Sequence, residues 1–323
     1  MRVVSCNSFG PVANLTVEDR PSLPIGPGQV RIGVTASGVN FVDGLFVQGL
    51  YQIKPPLPFV PGGEIAGVVT EVGEGVETHA VGDRVFASTG LGGFASEVLW
   101  PARRAMHTPE GMSDGQAATF VQSYGTAWFA LHNRAKAQAG EWLLVLGAGG
   151  GVGLAAVDVG HALGMHVIAA ASSESKRAMA VARGAEQVID TSTQNVKTLA
   201  KELSGGGVHV VYDPVGGALA EAGLRSLRDD GQLLIIGFAA GQIPRLPANQ
   251  ILLRNRRVTG VDWGGWVGSH QAENEQLLAD VVAAIGRGEL RPVEPTAYAM
   301  DDVAIALHDQ LERKVTGKSV LAP

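Results

Sequence analysis

The rhythm of hydrophobic positions changes partway along the chain. Up to about residue 120, short apolar runs at 30–36, 65–72, 84–87 and 94–99 are broken by Gly and Pro every few residues, a pattern that predicts short strands. This texture is all-β and barrel-like. One helix is predicted over residues 41–48. The stretch 54–62 holds four prolines, which lack the amide donor a central strand needs, and is expected to be a stiff loop. Helix and loop together are expected to wall a pocket.

From about residue 140, apolar strand, turn and helix alternate: strand 142–146, helix 154–163, strand 167–171, helix 176–183, strand 188–190, strand 208–213, a helix near 218–227 and strand 233–237. Near-continuous apolar strands separated by helices indicate a parallel sheet covered on both faces. A strand at 258–261, a helix near 275–287, an extended piece at 292–295, a helix near 303–310 and a last strand at 318–321 follow. That last strand is expected to rejoin the first region. The fold class is therefore α/β, a doubly wound parallel sheet inserted in a β-barrel domain. Residues 1–122 plus 264–323 are expected to form one domain and 123–263 the other, with two substrates meeting in the cleft between them.

Composition narrows the function. With 323 residues, 46% hydrophobic and 17% charged, the chain can build a sizeable core and shows no sign of disorder. Its 44 glycines and 16 prolines have no period, which excludes collagen and repeat arrays. A net charge of −6 gives no general attraction for nucleic acid. Cys6 alone allows neither a disulfide framework nor a multi-cysteine zinc site, and suits a reducing, cytoplasmic setting. The first residues lack the apolar core of a signal peptide, and no apolar run reaches the roughly 18 residues of a membrane span.

The predicted strand 142–146 leads into Gly147, Ala148, Gly149, Gly150, Gly151, Val152 and Gly153 and then an apolar helix. In that context a Gly-rich turn brings backbone amides and the positive end of a helix dipole close to a pyrophosphate. Ala148 stands where a strict G-x-G-x-x-G pattern has glycine. The cofactor-binding set is expected to include Gly147, Ala148, Gly150, Gly151, Val152 and Gly153. At the end of the second strand, where an NAD site holds an acid for the ribose 2′-hydroxyl, the chain has Ala171. Ser172, Lys176 and Arg177 follow and offer hydrogen bonds and positive charge to a 2′-phosphate, so NADPH is favoured over NADH. The plainer reading makes Ser172 a helix cap and the two cations a solvated face.

Several segments, in order, resemble the medium-chain dehydrogenase/reductase superfamily, and within it the zinc-free, zeta-crystallin-like NADPH:quinone oxidoreductase family. They are Gly38-Val39-Asn40-Phe41-Val42-Asp43, Gly49-Leu50-Tyr51, Pro58 to Gly67, Val81-Gly82-Asp83-Arg84-Val85, the 147–153 turn, Val211-Tyr212-Asp213-Pro214-Val215-Gly216-Gly217 and Gly317-Lys318. The resemblance spans nearly the whole chain. It implies a GroES-like domain plus a Rossmann domain, and commonly a homodimer joined through the Rossmann sheets, for which pairing of the 258–261 edge is a physical route. Where zinc-dependent members place Cys and His, this chain has Asn40 and Gly63. No ligand-like i,i+4 pairing is found among its eight histidines, so no metal is expected. Without a Lewis acid the acceptor must be intrinsically electrophilic, such as a quinone or a conjugated carbonyl compound.

The resemblance places Asn40, Asp43 and Tyr51 at the active site. Asn40 is expected to bond the acceptor or the nicotinamide ribose, and Tyr51 to stack on a planar acceptor and offer its hydroxyl to a developing oxyanion. Against these stand a turn residue, a helix-start acid and ordinary packing. Thr126, Gly237 and Phe238 are expected near the nicotinamide, with Asp262 and Trp263 bordering it from another side. At 189–191 the chain reads Ile-Asp-Thr where close relatives often have a Tyr, and Asp190 is an acid near the expected phosphate. Two alternatives to quinone reduction remain: NADPH-dependent reduction of the C=C bond in enals, enones or enoyl-CoA, and a non-catalytic NADPH-binding structural or sensor protein.

Overall fold

The computed structural model describes all 323 residues. The chain divides into two compact units, Met1–Gln122 with Val293–Pro323, and Ser123–Pro292.

In the first unit the long strand Gln29–Val39 is the hub. Its residues alternate in burial through Val34 and then turn fully inward from Ala36. It pairs antiparallel with Glu64–Val72 and Glu97–Pro101, and also with Ser319–Ala322 from the far end of the chain. The sheet continues through Arg84–Ser88 to Met106–His107 on one side and to Thr296–Ala299 on the other. Val30, Ile32 and Val34 pack on Ile65, Val69 and Val85 to form one core of this unit. The helix Phe41–Gln48 has the expected bounds and stops at Gly49, whose φ is 66°. Residues 54–62 form no helix and no regular strand. The expected strand at 94–99 begins later, at Glu97, since Phe94 and Ala95 hydrogen-bond with Pro61 and Gly93 instead.

The second unit holds a six-stranded, all-parallel sheet. In spatial order its strands are Gln187–Asp190, His166–Ala171, Trp142–Leu146, Val208–Asp213, Leu227–Ile235 and Arg257–Gly260. Numbered along the chain, this is the order 3-2-1-4-5-6 of a doubly wound nucleotide-binding sheet. The order reverses between Trp142–Leu146 and Val208–Asp213, the point at which doubly wound sheets bind ligands beyond the carboxyl ends of their strands. Leu144, Leu146, Ile168, Val211 and Leu233 form the buried layer beneath it.

Two differences from the sequence reading have clear causes. Leu227–Ile235 starts six residues before the expected strand because the polar run Arg228–Asp229–Asp230–Gly231 is a bulge inside it. Asp230 there has φ 61°, and the register slips between Val208 and Val210. The expected domain boundary at 264 also moves, since residues 264–292 fall in the second unit. Trp263 donates its indole N–H to Asn274, and the Arg291 N–H donates to the buried carboxylate of Asp158. Tyr124 on the helix Phe120–Trp128 donates to the same carboxylate at 2.7 Å.

A hydrogen bond to a buried carboxylate contributes about 1.5–3 kcal/mol, so Tyr124→Phe should lower unfolding stability by that order. Denaturant titration of wild type and variant measures it, and coincident curves would contradict the assignment.

Candidate functional site

Gly147 closes the first parallel strand with φ 62°. A Cβ on it would stand 2.8 Å from Val215, and one on Gly153 would stand 2.2 Å from the Gly147 carbonyl oxygen. Only glycine at both positions lets the helix Gly151–Ala162 start against the strand end. Gly150 is its N-cap, so the amides of Gly151, Val152 and Gly153 have no helical carbonyl to bond and are available to an anion. Ala148 is buried and donates its N–H to Ala170 at 3.0 Å, which shows how the alanine is accommodated in the turn.

Next to this turn, Ala171 lies in register with Asp190 of the neighbouring strand. Ser173, not Ser172, caps the helix Glu174–Ala182, accepting from the Lys176 N–H at 3.4 Å, and Ser172 is exposed beside it. Lys176 lays its aliphatic stem over Gly149, filling the place where a Cβ would stand. Arg177 is not a solvated side chain. Its guanidinium donates to the Ala171 carbonyl and pairs with Asp190, each at 3.1 Å. Hydrogen bonds from the Ser192 hydroxyl and N–H hold the Asp190 carboxyl below its ordinary value, with Arg177 adding to the effect. Ser172, Lys176, Arg177 and Asp190 therefore gather beside the Gly-rich turn.

The loops beyond the fourth and fifth strands also meet. Phe238 comes within 3.1 Å of where a Gly216 Cβ would stand, and Gly237 and Ala239 donate to Asp213 and Pro214 carbonyls. Asp213, given no role in the sequence reading, is fully buried and accepts from the N–H groups of Val215 and Gly216, each at 2.9 Å. Burial raises its pKa. The signal for it was an acid at a strand end just before Pro-Val-Gly-Gly. Thr126 is half-buried on its helix. The preceding residue, Gly125, lies under the indole of Trp263, while Asp262 caps the short helix Trp263–Val267.

In the first unit, three neighbouring strands of one sheet deliver a buried polar group. Asn40 follows the hub strand, Glu64 opens the strand on one side, and Lys318 precedes the strand on the other. The Asn40 carboxamide donates to Glu64 at 2.8 Å and accepts from the Lys318 ammonium. The second Glu64 oxygen accepts from the Gln122 N–H at 2.7 Å. Glu64 and Lys318 stand in the motifs of the sequence reading without an assigned role, since nothing periodic links positions so far apart. Asp43 is fully buried and accepts from the Asn40 backbone N–H at 2.8 Å, as the helix-start acid of the plainer reading. Burial pushes its carboxyl up to about 7. The Asn40 hydrogen bond opposes the rise, the Glu64 charge adds to it, and Lys318 opposes it. Burial lowers the Lys318 pKa against the pull of Glu64 and Asp43. The Tyr51 ring lies 4.7 Å from that of Phe46, and the exposed Ile53 and Leu57 follow it in the chain.

The Asp43 shift has a testable sign. Its native pKa of about 7 lies above the ordinary 3.8, so between those values the native protein keeps a proton that the unfolded chain has released. The stability it contributes is full below the lower value and lost as pH rises through the upper one. Asp43→Asn should flatten the decline of Tm between about pH 4 and pH 8. Differential scanning calorimetry across that range reads the effect, and parallel Tm profiles would exclude it.

Known proteins share this arrangement. The family model "Alcohol dehydrogenase GroES-like domain" matches residues 26–110 and "Zinc-binding dehydrogenase" matches residues 151–283. Rat quinone oxidoreductase-like protein 2 is 37% identical over 310 residues, 95% of this chain and 89% of that protein. The structure of Escherichia coli quinone oxidoreductase complexed with NADPH superposes with a TM-score of 0.89 at 27% identity, covering 100% of both chains. An NAD-dependent alcohol dehydrogenase, also 27% identical with 100% of both chains covered, reaches 0.91. With a Rossmann sheet inserted in the chain of a GroES-like domain, this protein is an oxidoreductase of the medium-chain dehydrogenase/reductase superfamily and belongs to its quinone oxidoreductase-like family.

Proposed function

We propose that this chain is an NADPH:quinone oxidoreductase that works without a metal ion. The observation that carries the cofactor choice is the strand end at Ala171. Fold likeness does not decide it, because both an NADPH-complexed and an NAD-dependent enzyme superpose closely. An acid is missing where a ribose 2′-hydroxyl would need one, and Ser172, Lys176 and Arg177 cluster beside it. The Gly-rich turn suits a dinucleotide, since Gly147 and Gly153 leave no room for a Cβ and the first-turn amides face the crevice end of the sheet.

When bound, the dihydronicotinamide supplies a hydride. The acceptor takes that hydride and one proton from solvent and becomes the hydroquinone. This chain's own residues bind and orient. Amides at 151–153 hold the pyrophosphate, Ser172, Lys176 and Arg177 hold the 2′-phosphate, and Thr126, Gly237 and Phe238 border the nicotinamide. Asn40 and Tyr51 serve the acceptor as hydrogen-bond donors, with Tyr51 also offering a ring face. Asp43 acts on Asn40 through the backbone and does not touch the acceptor. Asn40 and Gly63, at the positions where zinc-dependent members carry ligands, offer an amide and a bare backbone, so the acceptor must already be electrophilic. The open edge of Arg257–Gly260 offers main-chain pairing to a second copy, giving a homodimer.

Steady-state oxidation of NADPH and NADH with an ortho-quinone, a 2-alkenal and a short enoyl-CoA tests the reading. The quinone should give the highest kcat/KM and NADPH the preferred donor, with both unchanged after chelation. A dominant 2-alkenal or enoyl-CoA rate would replace quinone reduction with C=C reduction, and no turnover at all would leave a binding protein. Ala171→Asp places a carboxylate against the 2′-phosphate, and should cut NADPH efficiency by at least about tenfold relative to NADH. An unaltered ratio would remove the 2′-phosphate assignment.

A further inference from the structure

The Asn40 side chain is 6% exposed and stands between two opposite charges. A carboxylate only accepts hydrogen bonds and an ammonium only donates them. Glu64 therefore requires the Nδ2 end of the carboxamide on its side, and Lys318 requires the Oδ1 end on its own. Turning the amide over would set N–H against ammonium and carbonyl oxygen against carboxylate, losing two charge-assisted hydrogen bonds and creating two repulsions. Glu64 is itself committed on both oxygens, to Asn40 and to the Gln122 N–H. Lys318 is 5% exposed, so water does not replace its partners.

We propose that Glu64 and Lys318 are positioning residues that lock the Asn40 carboxamide in one orientation, so that the polar hydrogen it has left is an amide N–H. Asn40 can then serve an electron-rich oxygen of an acceptor or of a cofactor ribose, as a donor. This rests on the role proposed for Asn40 above, but the lock itself is a property of the first unit. Three adjacent strand ends build it, and it needs no ligand to form. Asp43 supports the same residue from the backbone side, fixing where the Asn40 Cα lies while the other two fix how the amide is turned.

Glu64→Gln tests the lock with little change in shape. A glutamine must offer an N–H either to Gln122 or to Asn40, and each is already a donor, so one contact becomes repulsive. Lys318→Met removes the other side, and the double variant Glu64→Gln/Lys318→Met removes both charges together and guards against misfolding from one unpaired charge. In 15N-edited spectra of the full-length protein, the Asn40 side-chain pair is assigned by its loss in Asn40→Asp. The lock predicts two sharp, exchange-protected signals in the wild type, and broadening or fast solvent exchange in Glu64→Gln and in whichever Lys318 variants fold. It also predicts a fall of about tenfold or more in kcat with the quinone and an NADPH Kd within about threefold, since a charge-assisted hydrogen bond is at stake and the phosphate-holding residues are untouched. Unchanged Asn40 signals in folded Glu64→Gln and in the double variant would overturn the proposal. If the wild type turns over none of the acceptors, the functional reading fails, while the spectra still decide the lock.

Discussion

A carboxylate with no access to water must be met by donors that hold their positions, and in this chain Glu64 imposes that requirement. Its partners arrive from far along the sequence. Asn40 comes from the end of the hub strand, Gln122 from the last residue before the second unit, and Lys318 from the closing segment. Buried, Glu64 and Lys318 are each costly alone and tolerable together. The chain must therefore return after residue 292 to complete the first unit, and Ser319–Ala322 does so by pairing with Gln29–Val39. The 170 residues between Gln122 and Val293 are an insertion that respects this closure, folding as a unit of their own.

The second unit answers a different constraint. Right-handed crossovers between parallel strands send successive helices to opposite faces only if the winding reverses once, and the reversal leaves two neighbouring strand ends with their loops turned apart. Here those ends are Leu146 and Asp213. Val215 leaves no room for a Cβ on Gly147 across the gap, and Asp213 fixes the far loop by accepting two of its amides. Topology brings the free first-turn amides of 151–153 to this point, with glycine needed where the backbone closes in.

Much of this was legible in the order of residues. Strands 142–146 and 208–213 and helix 41–48 have the bounds their sequence predicts, because each apolar run ends on a residue that stops it: Gly147, Pro214 and Gly49. Legibility failed where the deciding partner lies far away or where two neighbours are equally apt. Ser172 and Ser173 are both capable caps, and only the path of the helix selects Ser173. The run 228–231 has turn chemistry and reads as a strand boundary, yet Leu227 before it and Gln232 after it both pair with Val208–Asp213, so it stays within the strand as a bulge. The helix Phe120–Trp128 and its π-helical continuation Phe129–Ala135 carry apolar residues with no cap to mark a start, and were not foreseen. Lys318 was visible only as part of a closing motif, since its pairing with Glu64 is a matter of sheet order.

Asp190 shows how position overrides residue type. As a free acid near the expected 2′-phosphate it argues against NADPH. In the sheet, however, it stands one strand away from Ala171, in register with it, and its charge is already answered by the Ser192 hydroxyl, the Ser192 N–H and Arg177. Under the proposed cofactor reading, an acid at 171 would face the ribose and compete with the phosphate for the same donors. An acid at 190 anchors a guanidinium that the Ala171 carbonyl also holds, so Arg177 is restrained beside the second strand end before any ligand arrives. Restraint of a long side chain removes part of the ordering cost of binding. Under the proposed function, the acid that seemed to oppose the phosphate is what keeps its arginine in place.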